Sequence, residues 1–219
     1  MNRRTVLVGL LLAAFTLTGF AEETLLLRQP ALSKDHLAFV YAGDIWVADG
    51  SGRDARRLTS HPAEENSPVF SPDGQYIAFA AEYEDNTDVY VVPVAGGQPQ
   101  RLTWHPGTDR PQAWSADGRE VAFVSARETD HGRSGQLYHV SLDGGLPVKQ
   151  MDARIVQGTY SEGGELAYII FVPGYNGLFG GSAGWKGYRG GTTPAINVMA
   201  ADRETVEVVP GAGAMNFNP

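Results

Sequence analysis

One short segment, centred on Ser-Pro-Asp-Gly, occurs four times along the chain with a nearly regular spacing. The clearest copies are residues 68–79 and 111–123, and poorer copies occupy residues 30–39 and 158–168. The serines of the four copies are 38, 44 and 46 residues apart, at Ser33, Ser71, Ser115 and Ser161. A repeat of about 40 residues in a glycine-rich sequence is typical of propellers.

Each repeat contains signals for four β-strands. Residues 71–74 have the composition of a β-turn, because proline presets φ at the second position and aspartate and glycine suit the third and fourth. The apolar segments on either side are then adjacent antiparallel strands. Third strands are predicted where β-branched or aromatic residues alternate with polar ones, at residues 44–47, 88–91, 136–139 and 195–198. A glycine-rich turn and a short fourth segment complete the repeat.

The predicted fold class is all-β, a β-propeller of four-stranded antiparallel blades. One such sheet cannot bury both of its faces, so successive sheets are expected to stack face to face around an axis. About four blades are predicted, over residues 28–62, 66–106, 110–152 and 156–210, and residues 214–219 resemble the start of a fifth. The propeller would then be incomplete. A linear solenoid is the competing architecture, but its repeats are usually shorter or helical.

An incomplete propeller predicts unusual behaviour in solution. The first and last blades would each lack a neighbour and leave an apolar face uncovered. The isolated chain is therefore expected to be marginally stable, to aggregate or to form a homo-oligomer. The sequence contains no cysteine, which excludes disulfides and thiolate metal sites, so stability must come from packing.

The first 21 residues have the composition of a signal peptide. A basic start at residues 2–4 precedes an almost wholly apolar stretch over residues 5–17, and small residues at positions 19 and 21 suit cleavage. We expect a mature chain of residues 22–219, exported to the periplasm or the extracellular space and without a membrane span. A retained anchor is the alternative, but residues 5–21 fall short of the roughly 20 residues that a span needs. The paired arginines leave the twin-arginine export route open beside the general one.

Several motifs in the repeats resemble a known family. Residues 70–74 (Phe-Ser-Pro-Asp-Gly) and 101–106 (Arg-Leu-Thr-Trp-His-Pro) resemble the WD-type repeats shared by TolB-like proteins and the propellers of tricorn proteases. Three further motifs favour the tricorn group of large serine peptidases: residues 43–47 (Gly-Asp-Ile-Trp-Val), 144–147 (Gly-Gly-Leu-Pro) and 185–191 (Trp-Lys-Gly-Tyr-Arg-Gly-Gly). TolB-like proteins also carry a small α/β domain before the propeller, for which the mature chain leaves no room.

The resemblance covers about residues 28–219 and implies a function. The chain is similar to the amino-terminal propeller portion of an exported tricorn-like serine peptidase. Such a propeller is expected to gate or bind peptides or unfolded polypeptide for an active site in downstream peptidase domains. No catalytic residue is predicted in this chain, so peptidase activity is implied for the family alone. A TolB-like periplasmic protein-binding propeller with no enzymatic role is the alternative.

The candidate ligand-binding residues are Trp185, Tyr188 and Arg189. They lie in a glycine-rich insertion between the second and third predicted strands of the fourth repeat. Tryptophan, tyrosine and arginine are the residue types that most often anchor partners at interfaces. Packing against a neighbouring domain is the other explanation for these side chains.

No metal, cofactor or nucleic-acid site is predicted. His61 and His105 occupy equivalent Thr-x-His-Pro loops, where a structural role between blades is expected. The acidic residues 82–88 lack the glycine and terminal glutamate of a calcium loop and are expected to form a solvated hairpin tip. The formal net charge of -8 disfavours nucleic acid, because binding phosphates requires a basic patch.

Overall fold

The computed structural model describes residues 26–129, 135–170 and 195–209. Within these ranges all regular structure is β, in four antiparallel sheets of four strands each. The predicted all-β propeller of four-stranded blades is thereby confirmed. The described ranges contain no helix long and apolar enough to cross a membrane. The predicted signal peptide, the side chains of Trp185, Tyr188 and Arg189, and residues 214–219 lie outside these ranges.

Each blade is a meander in which consecutive strands are neighbours. Blade 1 contains β1 (Arg28–Leu32), β2 (His36–Tyr41), β3 (Asp44–Asp49) and β4 (Arg56–Arg57). Blade 2 contains β5 (Glu65–Phe70), β6 (Tyr76–Ala81), β7 (Asp88–Pro93) and β8 (Gln100–Arg101). Blade 3 contains β9 (Asp109–Trp114), β10 (Glu120–Ser125), β11 (Gln136–Ser141) and β12 (Val148–Lys149). Blade 4 contains β13 (Ile155–Tyr160), β14 (Leu166–Ile170), β15 (Ile196–Met199) and β16 (Val206–Val208).

The Ser-Pro-Asp-Gly segment forms the turn between the first two strands of a blade. In blade 2, Ser71 Oγ donates to Asp73 Oδ1 at 2.6 Å and accepts from Tyr76 N at 2.9 Å. Gly74 N donates to Ser71 O at 2.8 Å, with a glycine φ of +69° that other residues adopt at a cost. In the other blades a serine hydroxyl likewise accepts a backbone N–H across the turn, at Ser33, Ser115 and Ser161.

The first strand of each blade lies nearest the propeller axis. These inner strands pack on one another in order, β1 on β5, β5 on β9 and β9 on β13. The fourth strands are the outermost and contain only two or three residues. An inner strand pairs with its second strand along one edge only, so its other edge faces the axis.

Three apolar clusters hold neighbouring blades together. The first, between blades 1 and 2, contains Ile45, Phe70 and Phe79. The second, between blades 2 and 3, contains Leu102 and Phe123. Phe79 and Phe123, at the centres of the second strands of blades 2 and 3, are both fully buried. The third fills the space between blades 3 and 4 in the same way. Burial of these side chains is the main driving force for stacking.

The four blades form an open arc. No strand of blade 4 packs extensively on blade 1 within the described residues. The two ends of the arc expose large apolar side chains, at Leu26, Leu27 and Leu32 on the first blade and at Val206, Val208 and Val209 on the last. The prediction of an incomplete propeller is therefore confirmed. The expected aggregation or self-association of the chain stays a prediction.

Candidate functional site

The inner strands together form a wall along the propeller axis. The second strand of each blade has a central aromatic residue, which is Phe39, Phe79, Phe123 or Tyr168. The residue directly after this aromatic residue pairs with one residue of the inner strand. In blade order these four equivalent residues are Arg28, Asn66, Arg110 and Gln157. Both arginines are exposed and both amides are half-buried. Arginine and amide side chains thus alternate along one level of the wall.

The wall differs from the rest of the molecule in charge. The only acidic residues of the four inner strands are Glu65 and Asp109, which are 1% and 0% exposed. Arg28 and Arg110 form no ion pair with the described residues. In a chain with a net charge of -8, the exposed charged side chains of the inner strands are therefore all basic.

The free edges of the four inner strands are poorly suited to pairing with an added β-strand. Each inner strand contains a β-bulge or a similar irregularity of register. The first three inner strands also contain a proline, at Pro30, Pro68 and Pro111. A proline has no N–H to donate, and bulges twist an edge away from a pairing partner. A chain that contacts this wall would therefore do so mainly through side chains.

Two inner strands are also tied directly to each other. Gln29 and Ser67 both have positive φ, 51° and 55°, which is uncommon for residues other than glycine. Gln29 Oε1 accepts a hydrogen bond of 2.7 Å from Ser67 N. The tie fixes the spacing of the wall between blades 1 and 2.

Cavities lie near the turns that follow the inner strands. The smaller, of about 190 Å³, is lined by apolar groups of blades 2 and 3, including Phe70 and Trp114, and by Tyr160 and Glu162 of blade 4. The larger, of about 610 Å³, is a cleft between blades 1 and 2 with a mixed lining that includes the charged residues Lys34, Asp35, Arg56 and Asp73. The smaller cavity is suited to an apolar side chain, and the larger cleft is suited to polar groups.

A buried polar network joins blades 1 and 2. Glu65 Oε2 of blade 2 accepts a hydrogen bond of 2.9 Å from Ile45 N of blade 1, and another from the Thr59 hydroxyl. The Tyr83 hydroxyl donates to the second oxygen of the same carboxylate. Burial raises the pKa of Glu65 above its ordinary value, because these hydrogen bonds only partly replace water.

The contact between blades 2 and 3 contains more buried charge, in two ion pairs that each lie within one blade. Asp88 accepts from Arg101 Nη2 at 2.6 Å and from the Thr103 hydroxyl at 3.1 Å. Asp109 of blade 3 pairs with Arg127 at 2.8 Å, and both carboxylates are fully buried. Arg127 takes the place that Tyr83 has in blade 2, four residues after the central phenylalanine of the second strand.

The contact between blades 3 and 4 is built from other groups. His139 Nδ1 lies 2.9 Å from Glu120 Oε2, and His139 Nε2 lies 3.0 Å from the Tyr160 hydroxyl oxygen. The buried acid of the first two networks is replaced here by Ile155, which is 0% exposed. Burial lowers the pKa of His139, and the Glu120 carboxylate opposes that effect.

Comparison with known proteins identifies the repeat. Residues 24–219 match the family described as the tricorn protease N-terminal beta propeller domain. The chain belongs to this family. A tricorn protease homologue of Streptomyces coelicolor is 49% identical over 57 residues, which are 25% of this chain and 5% of that protein.

Solved structures show the same fold. The tricorn protease crystal structure matches 86% of this chain and 18% of its own with a TM-score of 0.67 and 21% identity. TolB from Acinetobacter baumannii matches 83% of this chain and 43% of its own with a TM-score of 0.61 and 20% identity. This member of the tricorn propeller family thus spans a small part of the tricorn proteins that it matches.

The sequence-predicted candidates have different outcomes in this tricorn propeller. Trp185, Tyr188 and Arg189 lie outside the described residues, so their role as ligand-binding residues is untested. His61 Nδ1 and His105 Nδ1 accept hydrogen bonds from backbone N–H groups two residues later, at 3.1 and 2.9 Å, in their own loops. Within the described part of the chain no serine hydroxyl bonds a histidine ring, and no group of three or more metal-ligating side chains was found.

The expectation of a solvated acidic tip at residues 82–88 is wrong at its last residue. Asp88 is fully buried and ion-paired with Arg101, because it is the first residue of β7, paired with Ala81 of β6, and not part of the hairpin tip. A signal was present in the sequence. An acid in the third strand is followed thirteen residues later by Arg-x-Thr in two consecutive repeats, from Asp44 to Arg57 and from Asp88 to Arg101.

Proposed function

We propose that this propeller binds peptides or unfolded polypeptide along its inner-strand wall, as the non-catalytic portion of an exported tricorn-like serine peptidase. The bound chain would be presented to peptidase domains elsewhere in the protein. Export to the periplasm or the extracellular space is part of the proposal and is supported by the signal-like composition of residues 1–21. Family membership supports the association with a tricorn peptidase.

The observation that carries the proposal is the chemistry of the wall. Arginine and amide side chains donate hydrogen bonds to peptide carbonyl groups whatever the peptide sequence. No exposed acid on the inner strands competes for the two arginines. Pro30, Pro68 and Pro111 oppose β-strand addition, so a bound chain would be held through side chains and remain free to advance. Trp185, Tyr188 and Arg189 are proposed as additional anchors.

Binding of an unfolded polypeptide to the full chain tests the proposal. The probe is a fluorescently labelled, reduced and carboxymethylated protein, and the measurement is fluorescence anisotropy. We expect the Arg28→Gln/Arg110→Gln double variant to weaken binding several-fold. Arg119→Gln is the matched control, because Arg119 is an exposed arginine on the turn before β10 and lies off the wall. Equal effects in both variants, or none in the double variant, would refute the wall as the binding surface.

The TolB-like alternative is favoured by one observation, the fold shared with TolB. In that case the propeller would hold a folded protein partner and would take no part in proteolysis. A pull-down that recovers one folded partner, together with no anisotropy change for the unfolded probe, would support this alternative.

The proposed anchors are tested by the same anisotropy titration with Trp185→Ala, which should weaken binding of the unfolded probe under the first proposal.

A further inference from the structure

The contact between blades 3 and 4 contains a titratable group at a position that is apolar between the other blades. His139 lies on β11 with its side chain 4% exposed. The corresponding third-strand residues are Val47 and Val91, which belong to the apolar clusters of the first two contacts. We propose that this contact is an acid-sensitive latch, in which uptake of a proton by His139 loosens blade 4 from blade 3.

Hydrogen bonding defines the protonation state of the closed latch. A carboxylate can only accept, so Nδ1 of neutral His139 carries the proton and donates to Glu120 Oε2 at 2.9 Å. Nε2 then accepts from the Tyr160 hydroxyl at 3.0 Å. Glu120 and His139 belong to blade 3 and Tyr160 to blade 4, so the second hydrogen bond crosses between the blades. The T-shaped contact of the two rings, with centroids 5.5 Å apart, crosses there too.

A second proton removes the acceptor on which this bond depends. Protonated Nε2 becomes a donor, so the Tyr160 hydroxyl must turn away its own proton to keep any contact. The imidazolium would also be buried, which is costly unless it is fully paired. Glu120 offers partial compensation only, because its side chain is 44% exposed and shared with solvent.

Other charged groups around the ring do not reverse this balance. Asp117, on the turn before β10, favours the charged imidazole, and Arg203, on the turn before β16, disfavours it. On the neighbouring β12 the residue paired with His139 is Val148, which carries no charge. The net result is a pKa of His139 below the ordinary value of 6.5, with burial as the largest cause.

The sign of the pH response follows from that direction. The unfolded or detached state takes up the proton at a higher pH than the packed state. Stability of the contact is therefore fully present above about pH 6.5 and declines as the pH falls towards the pKa of the packed histidine. The first two contacts have no histidine at this position, so acid should release blade 4 selectively.

Hydrogen exchange of the full chain measures the latch. Backbone amides of β13 are compared with those of β5 between pH 7.5 and 5.0, after correction for the intrinsic exchange rate. We expect protection of β13 to fall several-fold with acid while protection of β5 does not fall. His139→Val, which copies the other two contacts, should remove the acid response of β13. His36→Gln, a change at a half-buried histidine of blade 1, should leave the response intact.

Two further measurements keep the proposal testable if His139→Val does not fold. Tyr160→Phe removes only the hydroxyl and should shrink the difference in β13 protection between neutral and acidic pH. Proton NMR of the wild-type imidazole should show the Nδ1–H tautomer at pH 7.5 and titration below pH 6.5. An unchanged acid response in His139→Val, or uniform loosening of all four blades, would overturn the latch.

Discussion

The contacts between blades 1 and 2 and between blades 2 and 3 differ from the contact between blades 3 and 4 in where they place polar and apolar side chains. In the first two, the inner strand begins with a buried acid: Glu65 accepts a hydrogen bond from Ile45 N of the previous blade, and Asp109 pairs with Arg127 of its own blade. In the third contact Ile155 replaces that acid. Farther along the third strand the difference is the opposite one. The third contact has the polar pair His139 and Tyr160 where the first two contacts have apolar side chains.

What the three contacts share is the backbone. Across each of them, the first residue of an inner strand donates its N–H to a carbonyl of the previous blade at 2.8 or 2.9 Å, from Glu65 to Gly43, from Asp109 to Thr87 and from Ile155 to Gly135. The geometry of stacking is therefore set by main-chain hydrogen bonds and apolar clusters. Side chains are then free to vary, and they decide how each contact responds to mutation and pH.

Buried charge should make the second contact the least tolerant of mutation. Asp88→Ala removes the buried partner of Arg101 and an acceptor of the Thr103 hydroxyl. Breaking a buried ion pair by deleting one partner costs about 3–5 kcal/mol when the other charge is left unpaired. Arg101 keeps its exposed partner Glu84, so we expect a loss near the lower end of this range, about 3 kcal/mol. The loss is in the free energy of unfolding, measured by urea denaturation of the full chain.

The matched control is Gln136→Ala, at the same place in blade 3. Gln136 forms two neutral hydrogen bonds: Nε2 donates to Asp152 O at 3.2 Å, and Oε1 accepts from the Tyr138 hydroxyl at 3.4 Å. Removing one neutral hydrogen bond costs about 0.5–1.5 kcal/mol, and since both are long we expect a total loss of about 1–2 kcal/mol. If the two variants lost equal stability, the buried charges of the second contact would add nothing to the hydrogen bonds, and the contrast between the contacts would fail.

Most of the fold could be predicted from the sequence, because turns and strand alternation are local. The Ser71 turn and the central strands of blades 2 and 3 are examples, since each follows from a few neighbouring residues. The pairing of Asp109 with Arg127 could not be predicted in this way. The two side chains lie eighteen residues apart, and they come within 2.8 Å only through the register of β9 with β10, which places Asp109 opposite Ser125 after a shift in the ladder.

The candidate site was less predictable for the same reason. Trp185, Tyr188 and Arg189 were chosen by residue type, and that choice is untested. The alternation of arginine and amide side chains on the wall depends on register across four blades, including a bulge in each inner strand. The role of His139 depends on two partners, Glu120 and Tyr160, that come from neighbouring strands and blades. None of these relations has a local signature.

A smaller effect is expected from the aromatic residue that ends the inner strand. Trp114 Nε1 donates to Val69 O of the previous blade at 3.0 Å, a bond that Phe70 cannot form in the first contact. Trp114→Phe makes the second contact resemble the first. It should lower the free energy of unfolding by about 1 kcal/mol, the usual net value of one hydrogen bond. Trp104→Phe is the control, since Trp104 is 60% exposed and should change stability by less than about 0.5 kcal/mol. Equal losses in the two variants would show that the indole hydrogen bond does not contribute.

The smallest effect is on the pH dependence of the free energy of unfolding, and it comes from Glu65. Its stabilising contribution is larger at low pH, whereas that of His139 is larger at high pH. The raised pKa of Glu65 means that the folded chain binds a proton more tightly than the unfolded chain. The contribution of this group is present below the unfolded pKa, near 4.5, and is lost as the pH rises through the folded pKa. Glu65→Gln, which copies the protonated carboxyl, should therefore remove a decline in stability above pH 4.5.

The comparison of urea midpoints between pH 4.5 and 7.5 isolates this group. His139 titrates in both proteins, so its contribution cancels in the difference between wild type and variant if the two contacts act independently. Glu64→Gln provides the control, because Glu64 is the exposed neighbour of Glu65 in sequence. A difference that does not change with pH would mean that Glu65 has the same pKa in the folded and the unfolded chain. The first contact would then be as indifferent to pH as an apolar one, in contrast to the third.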